Sequence, residues 1–305
     1  MSDKTFHTKC HICGMNLEPL YSPVSDSVSM EVFSIYNCSG CGLGYTTPQP
    51  NDLKKYYDRS YYGNRHGFTE KYCIKRRSKI VSSTIKNGKG KKLLDIGCGD
   101  GSFIKSLKTT GWNVSGTEIN PDYDLFNNLA VKEKIEDFAG SEPFDCITMW
   151  HTLEHMPDTK KVFTGIYSLL APNGKLIIAV PNKKSIQARL FKNKWLHLDV
   201  PRHIYHFDAD SLKCCLKSNG FIIEHKLWQE FEYDLLGWVQ SALNSIFKKA
   251  DVFFDRLRGR KKRSNSLIDH LNIILGFTFS VLFLPIVVFE KIVNNSGTII
   301  VIAKK

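Results

Sequence analysis

Residues 93–101 read LLDIGCGDG, and this stretch decides the fold. Leu93, Leu94 and Ile96 surround Asp95, and Gly97, Gly99 and Gly101 follow at alternate positions. The pattern predicts a buried parallel strand running into a tight glycine turn. Glycines are needed because a Cβ would keep the backbone from a bound ligand. Residues 102–107 (SFIKSL) then open a helix whose free N–H groups point into the same crevice.

Residues 114–119 (VSGTEI) predict a second short strand ending in Glu118, where a doubly wound sheet places an acid to accept both ribose hydroxyls of a nucleoside. A dinucleotide site requires GxGxxG, but the last position here is Ser102 and the observed spacing is DxGxGxG. With these residues the chain resembles the class I S-adenosylmethionine-dependent methyltransferases, whose first motif has this form. The resemblance implies S-adenosyl-L-methionine as cofactor, with Asp95, Gly97, Gly99, Gly101, Glu118 and Ile119 binding it.

Strand and helix patterns alternate from Lys91 onward. Residues 130–134 form a weak third strand, 144–150 (FDCITMW) a fourth, 157–170 the helix behind it, and 175–180 a fifth after the Pro172-Asn173-Gly174 turn. Residues 221–227 supply a sixth strand and 297–303 (GTIIVIA) a seventh. The expected fold class is α/β: a Rossmann-like, doubly wound, seven-stranded sheet with its last strand antiparallel. A small N-terminal zinc ribbon and a helical insertion before the last strand complete it. The expected parts are the ribbon over 1–50, a helical cofactor-covering segment over 51–90, the core over 91–227 and 297–305, and the insertion over 228–296.

The ribbon rests on four of the nine cysteines, the CxxC pairs Cys10/Cys13 and Cys38/Cys41, each followed by Gly. Two such knuckles make a tetrahedral four-thiolate zinc site, which stabilises a segment too small to bury much apolar surface. Four protein thiolates leave no open position for chemistry, so the metal is expected to be structural. Between the knuckles Val28, Met30 and Val32 alternate with polar residues like one arm of a hairpin. The five remaining cysteines are scattered, and with no signal peptide at the start the expectation is a reducing cytoplasm and free thiols. The tyrosine-rich stretch 52–68 holds Tyr56, Tyr57, Tyr61 and Tyr62; it either covers the cofactor, as in the resembling family, or packs the ribbon, and Tyr62 and Arg65 are given no role.

The formal net charge of +12 is uneven: residues 248–263 hold eight basic and two acidic residues. A helical apolar stripe over 233–257 precedes the run RLRGRKKR (256–263), and 271–289 follows with nineteen uncharged residues. That stretch is long enough to cross a bilayer. A single crossing would leave the last strand on the wrong side, however, and Asn272, Gly276 and Pro285 weaken a span. A helix buried in protein and a helix dipping into one leaflet both survive. The adjacent basic cluster, at about 1 kcal/mol per residue near an anionic surface, favours a peripheral contact between 233–289 and an anionic membrane. The expected location is cytoplasmic, on the inner face of the membrane.

Methyl transfer is an in-line displacement that needs an aligned acceptor and, for a hydroxyl, a base. Five of the ten histidines lie between His151 and His206, in WHTLEHMPD (150–158) and WLHLDVPRHIYHF (195–207). Both segments follow strand C-terminal ends, where open α/β sheets place their sites. WHTLEH resembles the segment after strand four in ubiquinone-type and sugar-type O-methyltransferases. That resemblance implies Trp150 and His151 near the cofactor and Glu154 and His155 around the acceptor. His155, His203 and His151 are the catalytic candidates, with His155 or His203 as general base. Arg202 and Asp199 either bind acceptor or brace the loop. Where relatives carry an acid reading the adenine, this chain has Lys134 before IEDF, so Glu136 or Asp137 substitutes, or backbone and apolar contacts serve.

Ribbon and loop together resemble methyltransferases found with cell-surface polysaccharide enzymes, which implies a sugar hydroxyl on a glycan or lipid-linked acceptor. A zinc-ribbon RNA methyltransferase is the alternative, although the ribbon lacks the aromatic and basic interleaving of nucleic-acid binders and a nucleic-acid partner is not expected. A non-catalytic scaffold of the same fold is the third reading, and a dehydrogenase is disfavoured by the glycine spacing.

Overall fold

The computed structural model describes residues 4–5, 7–57, 69–119, 126, 129–259 and 266–305. Tyr61, Tyr62, Arg65, the Asn120-Pro121 turn and the basic residues 260–263 lie outside the described residues. In chain order the strands β1 (Lys4–Thr5), β2 (Leu17–Ser25), β3 (Val32–Cys38), β4 (Gly44–Thr47) and β5 (Gln49–Pro50) precede α1 (Glu70–Thr84). Then come β6 (Lys92–Ile96), α2 (Ser102–Lys108), β7 (Asn113–Thr117), β8 (Ala130–Lys132), β9 (Phe144–Trp150), α3 (Thr159–Leu169), β10 (Leu170–Pro181) and α4 (Ile186–Phe191). The chain closes with β11 (Tyr205–His206), α5 (Ala209–Ser218), β12 (Ile222–Trp228), α6 (Phe231–Ile246), α7 (Val252–Leu257), α8 (Leu267–Leu282), α9 (Leu284–Ile292) and β13 (Thr298–Lys304).

The chain divides into two compact units, one of 1–69, 181–212 and 228–299, the other of 70–180, 213–227 and 300–305. The second is built on a seven-stranded sheet in the order β12-β13-β10-β9-β6-β7-β8. Strands β8, β7, β6, β9 and β10 run parallel, and the chain ends in an antiparallel strand. This is the Rossmann-like α/β fold that the alternating pattern predicts. Every second residue of a strand reaches one core, so Ile177 and Ala179 of β10 and Ile300 and Ile302 of β13 pack with Phe103, Ile104 and Leu107 of α2. Burial of each of the Ile, Leu and Phe side chains stabilises the fold by about 1.5–3 kcal/mol, and of Ala179 by less. Asp158 sets the start of α3 by accepting from the Lys161 amide at 2.9 Å, which trims the helix expected over 157–170. The third strand stops at Lys132, because Lys134 already caps the 3-10 turn Ile135–Phe138.

In the first unit, β2, β3, β4 and β11 form an antiparallel sheet in the order β11-β4-β3-β2. Tyr205 of the long loop after β10 pairs with Tyr45, so a segment distant in sequence completes the ribbon sheet. Val28 and Met30 do not form a hairpin arm; they lie in the β2–β3 turn, where Met30 takes φ +60° and Asp26 accepts from the Ser29 amide at 2.9 Å. The stripe over 233–257 is likewise two helices, interrupted at Asp251, whose φ is +59° and whose carboxylate accepts from Asn244 at 3.0 Å. The apolar stretch 271–289 falls into α8 and α9, bent by 45° at Phe283, two residues before Pro285.

Candidate functional site

The glycine turn sits at the C-terminal end of β6, the central strand of the parallel set. Gly97, Gly99 and Gly101 have φ of +75°, +63° and +76°. A Cβ on Gly97 would lie 2.6 Å from the Thr152 side chain, so no other residue fits the turn without strain. The Gly97 and Cys98 amides both donate to the Thr117 carbonyl at 2.9 Å, which locks the turn against the end of β7. Gly101 caps α2 in the left-handed conformation.

Glu118 follows β7 directly and is 8% exposed. Its carboxylate accepts from the Gly99 amide at 2.8 Å and from the Ile119 amide at 3.2 Å. An acid is thereby fixed over the glycine turn, with the half-exposed Ile119 beside it. Asp95 is buried in β6, and the Thr148 hydroxyl of β9 donates to it at 2.6 Å. Sequence reasoning did not single out Thr148; its signal was a lone hydroxyl inside the otherwise apolar FDCITMW.

Trp150 ends β9, stacked edge-on against Phe103 at 5.9 Å, with the Arg77 guanidinium 5.0 Å from its ring. Its indole nitrogen is buried without a hydrogen-bond partner among the described residues. His151 follows at φ +52°, its Nδ1 3.6 Å from Glu154 Oε1. Leu153–His155 is a 3-10 turn with Glu154 buried and His155 half-buried. Asp95, Gly97, Gly99, Gly101, Glu118, Ile119, Trp150, His151 and His155 therefore all lie at the carboxyl ends of β6, β7 and β9 or just beyond.

Neither acid near Lys134 is idle. Glu136 pairs with Lys161 at 2.8 Å, which holds its carboxyl below the usual range, and Asp137 accepts from the Lys134 amide at 2.9 Å.

His203 belongs to the other unit. Its Nδ1 lies 2.9 Å from the His197 carbonyl, which can only accept, so Nδ1 carries a proton and Nε2 faces Asp199 at 3.8 Å. Arg202 bridges Asp199 at 2.7 Å and Asp26 at 2.9 Å, and both Arg202 and Asp26 are buried. Of the two roles open to Arg202 and Asp199, this geometry shows the bracing one.

The four ribbon cysteines converge in the same unit, their Sγ atoms all within 4.8 Å of one another. Cys10 and Cys41 are 3.6 Å apart and Cys13 and Cys38 3.3 Å, too far for a disulfide, whose S–S length is about 2.05 Å. The Ile12 amide donates to Cys10, and the Gly40 and Cys41 amides donate to Cys38. The Tyr45 hydroxyl adds a bond to Cys10 at 3.2 Å. Hydrogen bonding with Cys41, with Tyr45 and the amides helping, holds the Cys10 thiol below its ordinary range. Convergent thiolates wrapped in amide donors fit a four-coordinate metal ion.

The methyltransferase-domain family model matches residues 65–226, more than half of the chain, and the chain belongs to that family. The ubiquinone biosynthesis O-methyltransferase of Xanthomonas euvesicatoria pv. vesicatoria is 31% identical over 106 residues, 31% of this chain and 44% of that protein. Its counterpart from Actinobacillus pleuropneumoniae serotype 7 is 32% identical over 153 residues, 43% of this chain and 65% of that protein. The chain thus spans about half the length of the curated relatives it matches. Phosphoethanolamine N-methyltransferase 2 of Haemonchus contortus, solved with S-adenosyl-L-methionine, shares the fold at a TM-score of 0.51 and 16% identity, covering 97% of this chain and 70% of that one.

Proposed function

We propose that the protein transfers a methyl group from S-adenosyl-L-methionine to a sugar hydroxyl on a glycan or lipid-linked acceptor. The observation that carries this reading is the turn of three positive-φ glycines held under the Glu118 carboxylate. Gly97, Gly99 and Gly101 make room for the cofactor, and Glu118 is placed to accept its ribose hydroxyls. With Glu136 and Asp137 engaged locally, Ile119 and backbone groups serve the adenine. Bound there, the sulfonium supplies an activated methyl group for in-line displacement, and the chain's own work is to align the acceptor and take its proton.

His155, His203 and His151 are the proposed bases. His151 has a buried carboxylate, Glu154, beside its ring, the arrangement that orients an imidazole and stabilises its charged form. O-methylation accords with the relatives' names, and the sugar acceptor rests on the ribbon and loop resemblance. The four cysteines are proposed to hold structural zinc, which four thiolates favour.

The experiment is transfer of labelled methyl from S-adenosylmethionine to lipid-linked and free oligosaccharides. The reading expects label on a sugar oxygen, with transfer falling about 10²–10⁴-fold when the basic histidine becomes alanine. Label on RNA, or none on any acceptor by protein that binds the cofactor, contradicts the assigned substrate.

A further inference from the structure

The bent helix pair α8 and α9 is apolar on both sides. Facing protein, Asp269, Asn272 and Gly276 of α8 and Val287 and Glu290 of α9 are buried, and Leu275, Phe279 and Phe283 pack against Val239, Leu243 and Phe253. These contacts are specific. A Cβ on Gly276 would lie 2.3 Å from the Phe253 ring of α7. Glu290 accepts from the Trp238 indole at 2.8 Å and from the Gln187 amide at 3.2 Å. The opposite side carries Leu271, Ile274, Val281, Leu284, Val288 and Ile292, with Ile274 62%, Val281 67% and Ile292 72% exposed. From Leu271 through Phe289 no charged residue interrupts it.

A water-facing helix has a polar outer side, and an uncharged apolar face of this length marks a contact with something apolar. No single helix among the described residues is long and apolar enough to cross a membrane, and Glu290 ties α9 to α4 and α6. Together α8 and α9 have the length and composition of a span, but they are bent by 45° at their junction and held to protein by their other side, an arrangement suited to half a bilayer.

The adjoining charge selects the kind of surface. Lys249 reaches the start of α8 through Asp269 at 2.6 Å, and Lys248 and Arg256 are exposed on the neighbouring α6–α7 segment. The sequence continues from there with four more basic residues at 260–263. Cations clustered beside an uncharged apolar face match a leaflet rich in anionic headgroups. We infer that α8 and α9 embed their outer face in one leaflet of an anionic membrane, with the α6–α7 segment on its headgroups. The inference stands on this face and does not depend on the methyl-transfer reading.

Flotation of the full chain with phosphatidylcholine vesicles, with and without phosphatidylglycerol, tests it. The expected result is flotation that requires phosphatidylglycerol and weakens with salt. Replacing Ile274, Val281, Val288 and Ile292 together by Gln should abolish flotation, with the melting temperature checking that the fold survives. Lys248→Glu with Arg256→Glu leaves the apolar face intact and should weaken flotation about tenfold or more, which keeps the test decisive if the first variant does not fold. No flotation with either vesicle, or flotation unchanged in the variants, overturns the inference. So does a dimer in sedimentation that the Gln substitutions dissociate while vesicles bind nothing, which would assign the face to a second copy.

Discussion

The Gly99 amide donates to the Glu118 carboxylate at 2.8 Å, joining the glycine turn after β6 to the acid after β7. One hydrogen bond thus joins the two elements proposed to hold the cofactor. The Gly99 and Ile119 amides both donate to the carboxylate, and hydrogen bonds to an ionised acceptor are the stronger kind.

Gly97→Ala should be strongly destabilising. The new Cβ meets Thr152 at 2.6 Å and the residue is held at φ +75°, so steric overlap and backbone strain add. A loss of about 1–3 kcal/mol from strain alone is expected in denaturant melts. Gly97→Ala with Thr152→Ser should recover part of it, because Ser lacks the methyl group in contact.

Arg202→Met should cost about 3–5 kcal/mol, since it leaves Asp26 buried without its cation. Arg202→Met combined with Asp26→Asn should recover much of that loss. A single variant as stable as the parent in thermal melts would show that the pair does not brace the ribbon.

The pH profile should carry the signature of His206. Burial, followed by the charges of His203 and Lys183, holds this imidazole well below its ordinary range. The Thr46 hydroxyl donates to the His203 carbonyl at 2.6 Å and therefore accepts from His206 Nε2 at 2.9 Å. Below about pH 6.5 the unfolded chain binds a proton that the folded one does not, so stability falls as pH drops through that value, by at most about 1.4 kcal/mol per unit. His206→Gln keeps a donor to Thr46 and should remove that acid limb; superimposable profiles would contradict the assignment.

Chelation should release one zinc per chain and lower the melting temperature, and Cys38→Ser should purify without metal. Elemental analysis reads both. Iron in the parent protein would replace zinc in this account, and no metal would reassign the cysteine cluster.

Much of this was legible because it is local. LLDIGCGDG fixes a strand and a turn through residues whose conformations permit little else, and the CxxC pairs bring their own ligands together. The β2–β3 hairpin was legible only in part, since alternation at Val28 and Met30 imitates a strand where Asp26 closes a turn. What sequence could not place depends on long-range contact: Arg202 meets Asp26 across 176 residues, and Tyr205 joins a sheet begun at Leu17. The length of the apolar stretch 271–289 was plain, but only packing shows which side of each helix faces protein.

Calorimetric titration of S-adenosyl-L-methionine into the parent protein and into Glu118→Ala tests the central claim most directly. The account predicts one-site binding by the parent, weakened by about tenfold or more in the variant, which corresponds to at least about 1.4 kcal/mol. No binding by the parent, or equal affinity in both proteins, would contradict it.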